Sequence, residues 1–266
     1  MLRRIRKGLL SVFAVGALTA TLAPACAHND QSLFIQAVMA PPQNRQNGCV
    51  YQPDVNQPKL FTGTLDVGLT DTYRMVVLAG NQLSSKQDIN NARAESARIA
   101  VFGATVRVQD RAGATLGEFT SPTSSDPINP TTGATPGLGL YSVVGMDPPT
   151  VARIRQILGP QGTDTFLVYI TLFGQTLGGT DVESNEFQFP VSACNGCLVI
   201  FPAETRDPAL NRDNCAKSDA TQAKTSDLQP CNLGQDESVN CLLCATSRKQ
   251  ICDPFCKVNP GDPSCQ

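Results

Sequence analysis

The chain has 266 residues, 41% of them hydrophobic, with no Trp and a formal charge of −2 at pH 7. That length allows one large or two modest domains with a real apolar core. Without the basic residues near its start (Arg3, Arg4, Arg6 and Lys7) the remainder is about six charges negative. No Lys/Arg run follows them, which excludes a nucleic-acid binder driven by phosphate neutralisation.

In chain order, the basic residues precede an apolar run, Leu9 to Ala23, and then the small residues Ala23 and Ala25. This is the layout of a secretory signal peptide. The run is 15 residues long, short of the ~20 that a spanning helix needs, and no later stretch predicts a transmembrane helix. Leu22-Ala23-Pro24-Ala25-Cys26 resembles the lipobox of bacterial lipoproteins, in which a small residue directly precedes a cysteine at the end of the apolar run. The resemblance covers the first 26 residues. It implies a signal peptide over 1–25, a diacylglyceryl group on the thiol of Cys26, an acylated new N-terminus, and a short tether over 26–31. Ala27, rather than Asp, follows the cysteine, which in that family implies the outer membrane, with the face left open. Beyond the lipobox the chain looks like uncharacterised cell-envelope lipoproteins. Ordinary signal-peptidase cleavage after Ala25 or Ala27 is the alternative.

Residues 32–193 read as one β domain. A first strand is predicted over Ser32 to Met39, ended by Pro41-Pro42, with a polar loop on to Cys49-Val50-Tyr51. Phe61, Gly63, Leu65, Val67 and Leu69 alternate with polar residues, the period of a half-buried strand. Tyr73 to Ala79 is the next strand, and Gly80 to Ala97 a polar loop. Arg98 to Val108 is expected to bury Ala100, Phe102, Ala104, Val106 and Val108 on one side, with Gly103 marking a bulge. Asp110-Arg111-Ala112-Gly113 turns into Ala114 to Phe119, and Ser121 to Gly137 is expected as a long exposed loop.

Leu138 to Val144 is a strand. Asp147 then suits an N-cap and Pro148 the first turn of a short helix whose apolar face is Val151, Ile154, Ile157 and Leu158, stopped by Gly159-Pro160. Phe166 to Phe173, the most apolar strand, is the candidate sheet centre. Gly178-Gly179 leads into a last strand, Val182 to Val191. The expected class is therefore all-β: an immunoglobulin-like or fibronectin-like β-sandwich, with a jelly roll or open barrel as the alternative.

From Cys194 the composition shifts. Residues 194–266 are predicted to form a small, loop-dominated module stapled by disulfides, because so few bulky apolar residues follow Phe201. Besides Cys26 the chain holds Cys49, Cys194, Cys197, Cys215, Cys231, Cys241, Cys244, Cys252, Cys256 and Cys265. Export places them where disulfides persist. They are expected as structural bridges of unassigned pairing. Nine of the ten lie in the tail, so full oxidation needs Cys49 to reach one of them.

Cys194-Asn195-Gly196-Cys197 and Cys241-Leu242-Leu243-Cys244 are two C-x₂-C pairs. Their separation exceeds zinc-ribbon spacing, and no βαβ pattern precedes them to build a thioredoxin-like redox site. The only histidine, His28, lies beside Cys26, which excludes a Ser-His-Asp or Cys-His site in the body. Nucleotide-binding glycine fingerprints and a Gly-x-Ser-x-Gly elbow are missing too. Glu183 and Glu186 fall on opposite faces of a regular strand, which opposes a shared carboxylate site. Asp207, Asp213, Asp219 and Asp262 lack EF-hand spacing. No catalytic residue, metal ligand or cofactor is predicted. The expected function is that of a non-enzymatic envelope lipoprotein, a structural or binding component attached to a membrane, with an envelope protein or polysaccharide as partner. The alternatives are an exported carbohydrate-active enzyme using Asp and Glu alone, and a thiol–disulfide exchange protein.

Overall fold

A computed structural model describes residues 32–46, 48–85, 95–124, 126–160, 162–209, 211–213 and 230–241. Cys26, His28, Cys215, Cys244, Cys252, Cys256 and Cys265 lie outside this set, as do Asp219 and Asp262. The described chain is mostly β, with several sheets, one short helix and disulfides. No helix among the described residues is long and apolar enough to cross a membrane.

One sheet has four antiparallel strands in the order β2-β1-β4-β7: β1 (Leu33–Met39), β2 (Lys59–Leu60), β4 (Tyr73–Asn81) and β7 (Gly137–Met146). The other runs β3-β10-β8-β5-β6: β3 (Gly63–Asp66), β5 (Ile99–Gln109), β6 (Thr115–Pro122), β8 (Thr163–Thr176) and β10 (Phe187–Cys194). A short β9 (Asp181–Glu183) also pairs with β8. Strand β3 lies parallel to β10; the other pairings are antiparallel. The inward residues of both sheets form one apolar cluster, in which Val77 and Val143 share a core with Val106, Phe166, Val168 and Ile170. Burial of this kind is the main driving force for folding, about 25 cal/mol per Å² of apolar surface.

The helix α1 (Pro148–Leu158) forms where its caps dictate. Asp147 Oδ1 accepts from Thr150 N at 3.0 Å, and Pro148 opens the first turn. Val151 and Ile154 are buried and Ile157 faces solvent. Arg155 donates to Val67 O through Nε (3.1 Å) and Nη2 (2.6 Å), fastening the helix to the turn after β3. Strand β8 is internal to its sheet, between β5 on one side and β10 on the other.

Four stretches differ from the pattern expected from sequence. The predicted strand from Phe61 to Leu69 is only Gly63–Asp66, and Phe61 is 89% exposed. The chain leaves the first sheet at β2 and joins the second at β3, so the alternation breaks at the crossing. In β5 the register shifts between Val101 and Gly103. The bulge turns Val101 into the core and leaves Phe102 47% exposed. A Cβ on Gly103 would lie 2.8 Å from Phe173 Cζ and from Ser121 O, which is why the bulge needs glycine. The segment 121–137 is not wholly exposed: β6 runs on to Pro122, and Ile128 is fully buried, bridged to Ile99 by two backbone hydrogen bonds (3.1 and 2.8 Å). The last predicted strand is two, β9 and β10, broken at Ser184–Glu186.

Beyond Cys194 the structure has a parallel pair, β11 (Val199–Ile200) with β14 (Val239–Asn240), and an antiparallel pair, β12 (Arg206–Asp207) with β13 (Arg212–Asp213). Leu69, Val199, Val239 and Cys241 form a second small core with Leu198 and Phe201. Residues 230–241 thus pack on the turn after β3, at the end of the β body where β1 finishes and β4 begins.

Candidate functional site

The loop joining β1 to β2 builds a concave groove of about 480 Å³, within the size range of ligand pockets. It opens where β1 ends at Met39. Its described lining carries no charged side chain. Instead it has carboxamides from Gln43, Asn44, Gln46, Gln52 and Gln57, together with Tyr51. Asn44 Oδ1 accepts from Gln46 N at 3.3 Å. Tyr51 is half-buried, and its hydroxyl is held above the ordinary tyrosine pKa by burial first, then by the nearby Glu237 and Asp236.

Three fastenings hold this loop. Ala40 N donates to Pro58 O at 3.0 Å, closing its base. Arg45 turns inward, donating from Nε to Pro42 O at 2.8 Å and pairing through Nη2 with Glu237. The other Glu237 oxygen accepts from Cys231 N at 2.8 Å. Beside that contact a disulfide joins Cys49 to Cys231, 182 residues apart, with the two Cα atoms 5.7 Å apart. The groove wall is thereby tied covalently and electrostatically to the segment 230–241.

That segment is itself docked on the two sheets. Gln235 is buried and bonds Arg74 twice, accepting from Arg74 N (3.1 Å) and donating to Arg74 O (2.9 Å). Asp236 N donates to Thr64 O at 3.0 Å, and Asp236 Oδ1 accepts from Thr64 N at 2.7 Å. The Tyr73 hydroxyl donates to Asp236 Oδ2 at 3.0 Å. Burial raises the Asp236 carboxyl to about 6 from its ordinary 3.8; the Thr64 and Tyr73 donors lower it and Glu237 raises it.

A second acidic residue, Asp66, is fully buried beside the C-x₂-C turn. Its Oδ1 accepts from Gly68 N (3.0 Å) and Gly196 N (2.6 Å), and its Oδ2 from Leu198 N (3.0 Å). Cys194 and Cys197 are bonded to each other, the first buried and the second exposed. Asp66, Cys194 and Cys197 come within 4.8 Å of one another, the one grouping with metal-like spacing among the described residues. The chemistry fits a metal poorly. The sulfurs share a covalent bond, and both carboxylate oxygens already serve backbone N–H groups. Cys241 is disulfide-bonded as well.

Glu183 and Glu186 do not converge. Glu183 is exposed at the end of β9, whereas Glu186 pairs with Arg107 at 2.7 Å, and Arg107 stacks 4.2 Å over the Tyr169 ring. Asp207 and Asp213 lie on the β12–β13 pair. The sequence does not single out the groove: after Pro41-Pro42 it predicts only a polar loop on to Cys49-Val50-Tyr51. The available signal was the density of Gln and Asn between Pro41 and Pro58. The chain matches no known protein family, and no similar characterised protein or solved structure was found.

Proposed function

We propose that this protein is a lipid-anchored binding protein of the bacterial envelope. In this reading an immunoglobulin-like sandwich carries a ligand groove at the far end of its first strand. The observation that carries the proposal is the placement of the two ends of β1. The chain enters the body at Leu33, seven residues after Cys26, and the groove begins where β1 ends at Met39. At about 3.3 Å per residue β1 holds them about 20 Å apart, and a tether of seven residues adds at most about 24 Å. On a chain lipidated at Cys26 the groove would lie at the end of β1 opposite the tether.

The strand order supports the immunoglobulin-like reading. Strands β1, β4 and β7 share one sheet while β6, β5, β8 and β10 share the other, an arrangement of two antiparallel layers over one core. The non-catalytic reading is supported by the uses already found for the buried acids: Asp66 organises a turn and Asp236 a docking contact. An exchange reaction at Cys194–Cys197 has the exposed Cys197 sulfur in its favour. The adjacent Asp66 carboxylate opposes it, because a neighbouring negative charge disfavours the attacking thiolate.

Fractionation tests the anchor. The full-length protein should sediment with membranes and resist a high-salt wash, and Cys26→Ala should release it to the soluble fraction, since each buried lipid CH₂ contributes about 0.8 kcal/mol. Membrane retention of the Cys26→Ala protein would contradict the proposal.

A further inference from the structure

We infer that the groove between Met39 and Pro58 binds a neutral glycan. The inference rests on the binding-protein reading above and names the ligand class for that site. The side-chain amides of Gln43, Gln46, Gln52 and Gln57 line it without hydrogen bonds to any described group, and so does the Tyr51 hydroxyl. Each carboxamide offers two donors and a two-lone-pair acceptor on one short plane. That mixture matches vicinal hydroxyls, which donate and accept at once, better than it matches an ion or an apolar surface.

Charge points the same way. The described lining has no cation to hold a carboxylate or sulfate, and Glu237 and Asp236 lie close enough to act on Tyr51. Arg45 also acts on Tyr51 but is already paired with Glu237, so an anionic ligand would meet a net negative surrounding. The half-buried Tyr51 ring and the prolines Pro42 and Pro58 supply apolar faces for the C–H side of a sugar ring.

A peptide added as an extra strand fits less well. Strand addition needs a continuous row of free backbone N–H and C=O groups. Here β2 is two residues long, Ala40 N is already bonded to Pro58 O, and prolines 41, 42, 53 and 58 have no N–H to give. The loop is also fixed before any ligand arrives, by Cys49–Cys231 and by Arg45 with Glu237. Preorganisation reduces the ordering cost of binding.

The test uses the mature full-length protein in detergent. A surface carries neutral oligosaccharides of hexoses and N-acetylhexosamines, sulfated and uronic oligosaccharides, and proline-rich peptides. Retention is followed by titration calorimetry with the retained probe. The expected result is retention of neutral oligosaccharides, weakened about tenfold or more by the double variant Gln43→Ala/Gln52→Ala, which removes two exposed side chains and several ligand hydrogen bonds. Glu118→Gln on β6 should bind as the wild type does. Retention of acidic saccharides or peptides, lost in the double variant, would overturn the glycan class and leave the groove as a binding site. Neutral glycan binding unchanged by the double variant would overturn the groove as its site. No retention of any probe at millimolar concentration would overturn both the glycan inference and the binding reading, whatever the fate of Cys26.

Discussion

The hydroxyl of Tyr73 donates to the carboxylate of Asp236 across 163 residues of sequence, at 3.0 Å from Oδ2. The contact joins the first residue of β4 to the cysteine-rich tail and depends on a bare backbone beneath it. A Cβ on Gly63 would lie 2.0 Å from the Tyr73 hydroxyl oxygen. Through this contact and the Thr64 pairing, the segment carrying Cys231 and Glu237 is held against the β body, and with it the groove wall.

The burial of Asp236 at this contact sets a pH dependence. Asp236 is raised from 3.8 to about 6, chiefly by burial. The native state therefore keeps a proton on this group, between about pH 4 and pH 6, that the unfolded chain has released. Its contribution to stability is greatest below that window and is lost as the pH rises through it. The shift corresponds to about 3 kcal/mol at most. Wild-type stability in denaturant, compared with Asp236→Asn, should gain about 1–1.5 kcal/mol between pH 7.5 and pH 5, the part of the shift that falls in that range. Parallel curves for the two proteins would contradict the assignment.

The Cys49–Cys231 bridge closes a loop of 182 residues' separation. Chain-entropy reasoning sets its stabilisation at about 5 kcal/mol as a ceiling, against about 2 kcal/mol for the three-residue separation of Cys194 and Cys197. Cys49→Ser/Cys231→Ser should therefore lower the denaturant midpoint more than Cys194→Ser/Cys197→Ser does. Equilibrium unfolding of the two double variants checks the order.

Asp66 accepts three backbone N–H bonds with its two oxygens. Asparagine would keep one acceptor oxygen and point an NH₂ at a donor. Asp66→Asn should cost about 2–4 kcal/mol, the penalty of leaving a buried donor unpaired beside a lost charge-assisted bond. It should also loosen the Cys194–Cys197 turn, read as faster reduction by dithiothreitol than in the wild type. Unchanged stability would show that the turn is organised by something other than this carboxylate.

Much of the β architecture was legible because alternation survives in its long strands. β4, β5, β7 and β8 were found near their true positions, and the helix announced itself through Asp147, Pro148 and Gly159. Phe102 was misplaced because its parity agreed with Ala104 and Val106, and a bulge shifts register without changing composition. The groove and the hydrogen bonds and ion pair that dock 230–241 were not legible for another reason, although the odd number of tail cysteines already called for a link to Cys49. These contacts, Tyr73 to Asp236 and Arg45 to Glu237, span 163 and 192 residues and use residue types that ordinarily face water.

The bulge yields its own prediction. Phe102→Ser should change stability by less than about 1 kcal/mol, as substitution of exposed side chains usually does. Val106→Ala, at a fully buried position of the same strand, should cost about 2–3 kcal/mol. Thermal unfolding of both variants would expose a misplaced register at once, because the order would reverse.

The proposed anchor at Cys26 is decided by intact mass spectrometry of the mature protein extracted from membranes. Lipidation gives an N-terminus at Cys26 whose mass carries a diacylglyceryl group and one further acyl chain. An unmodified N-terminus at Cys26 or at His28 would contradict it.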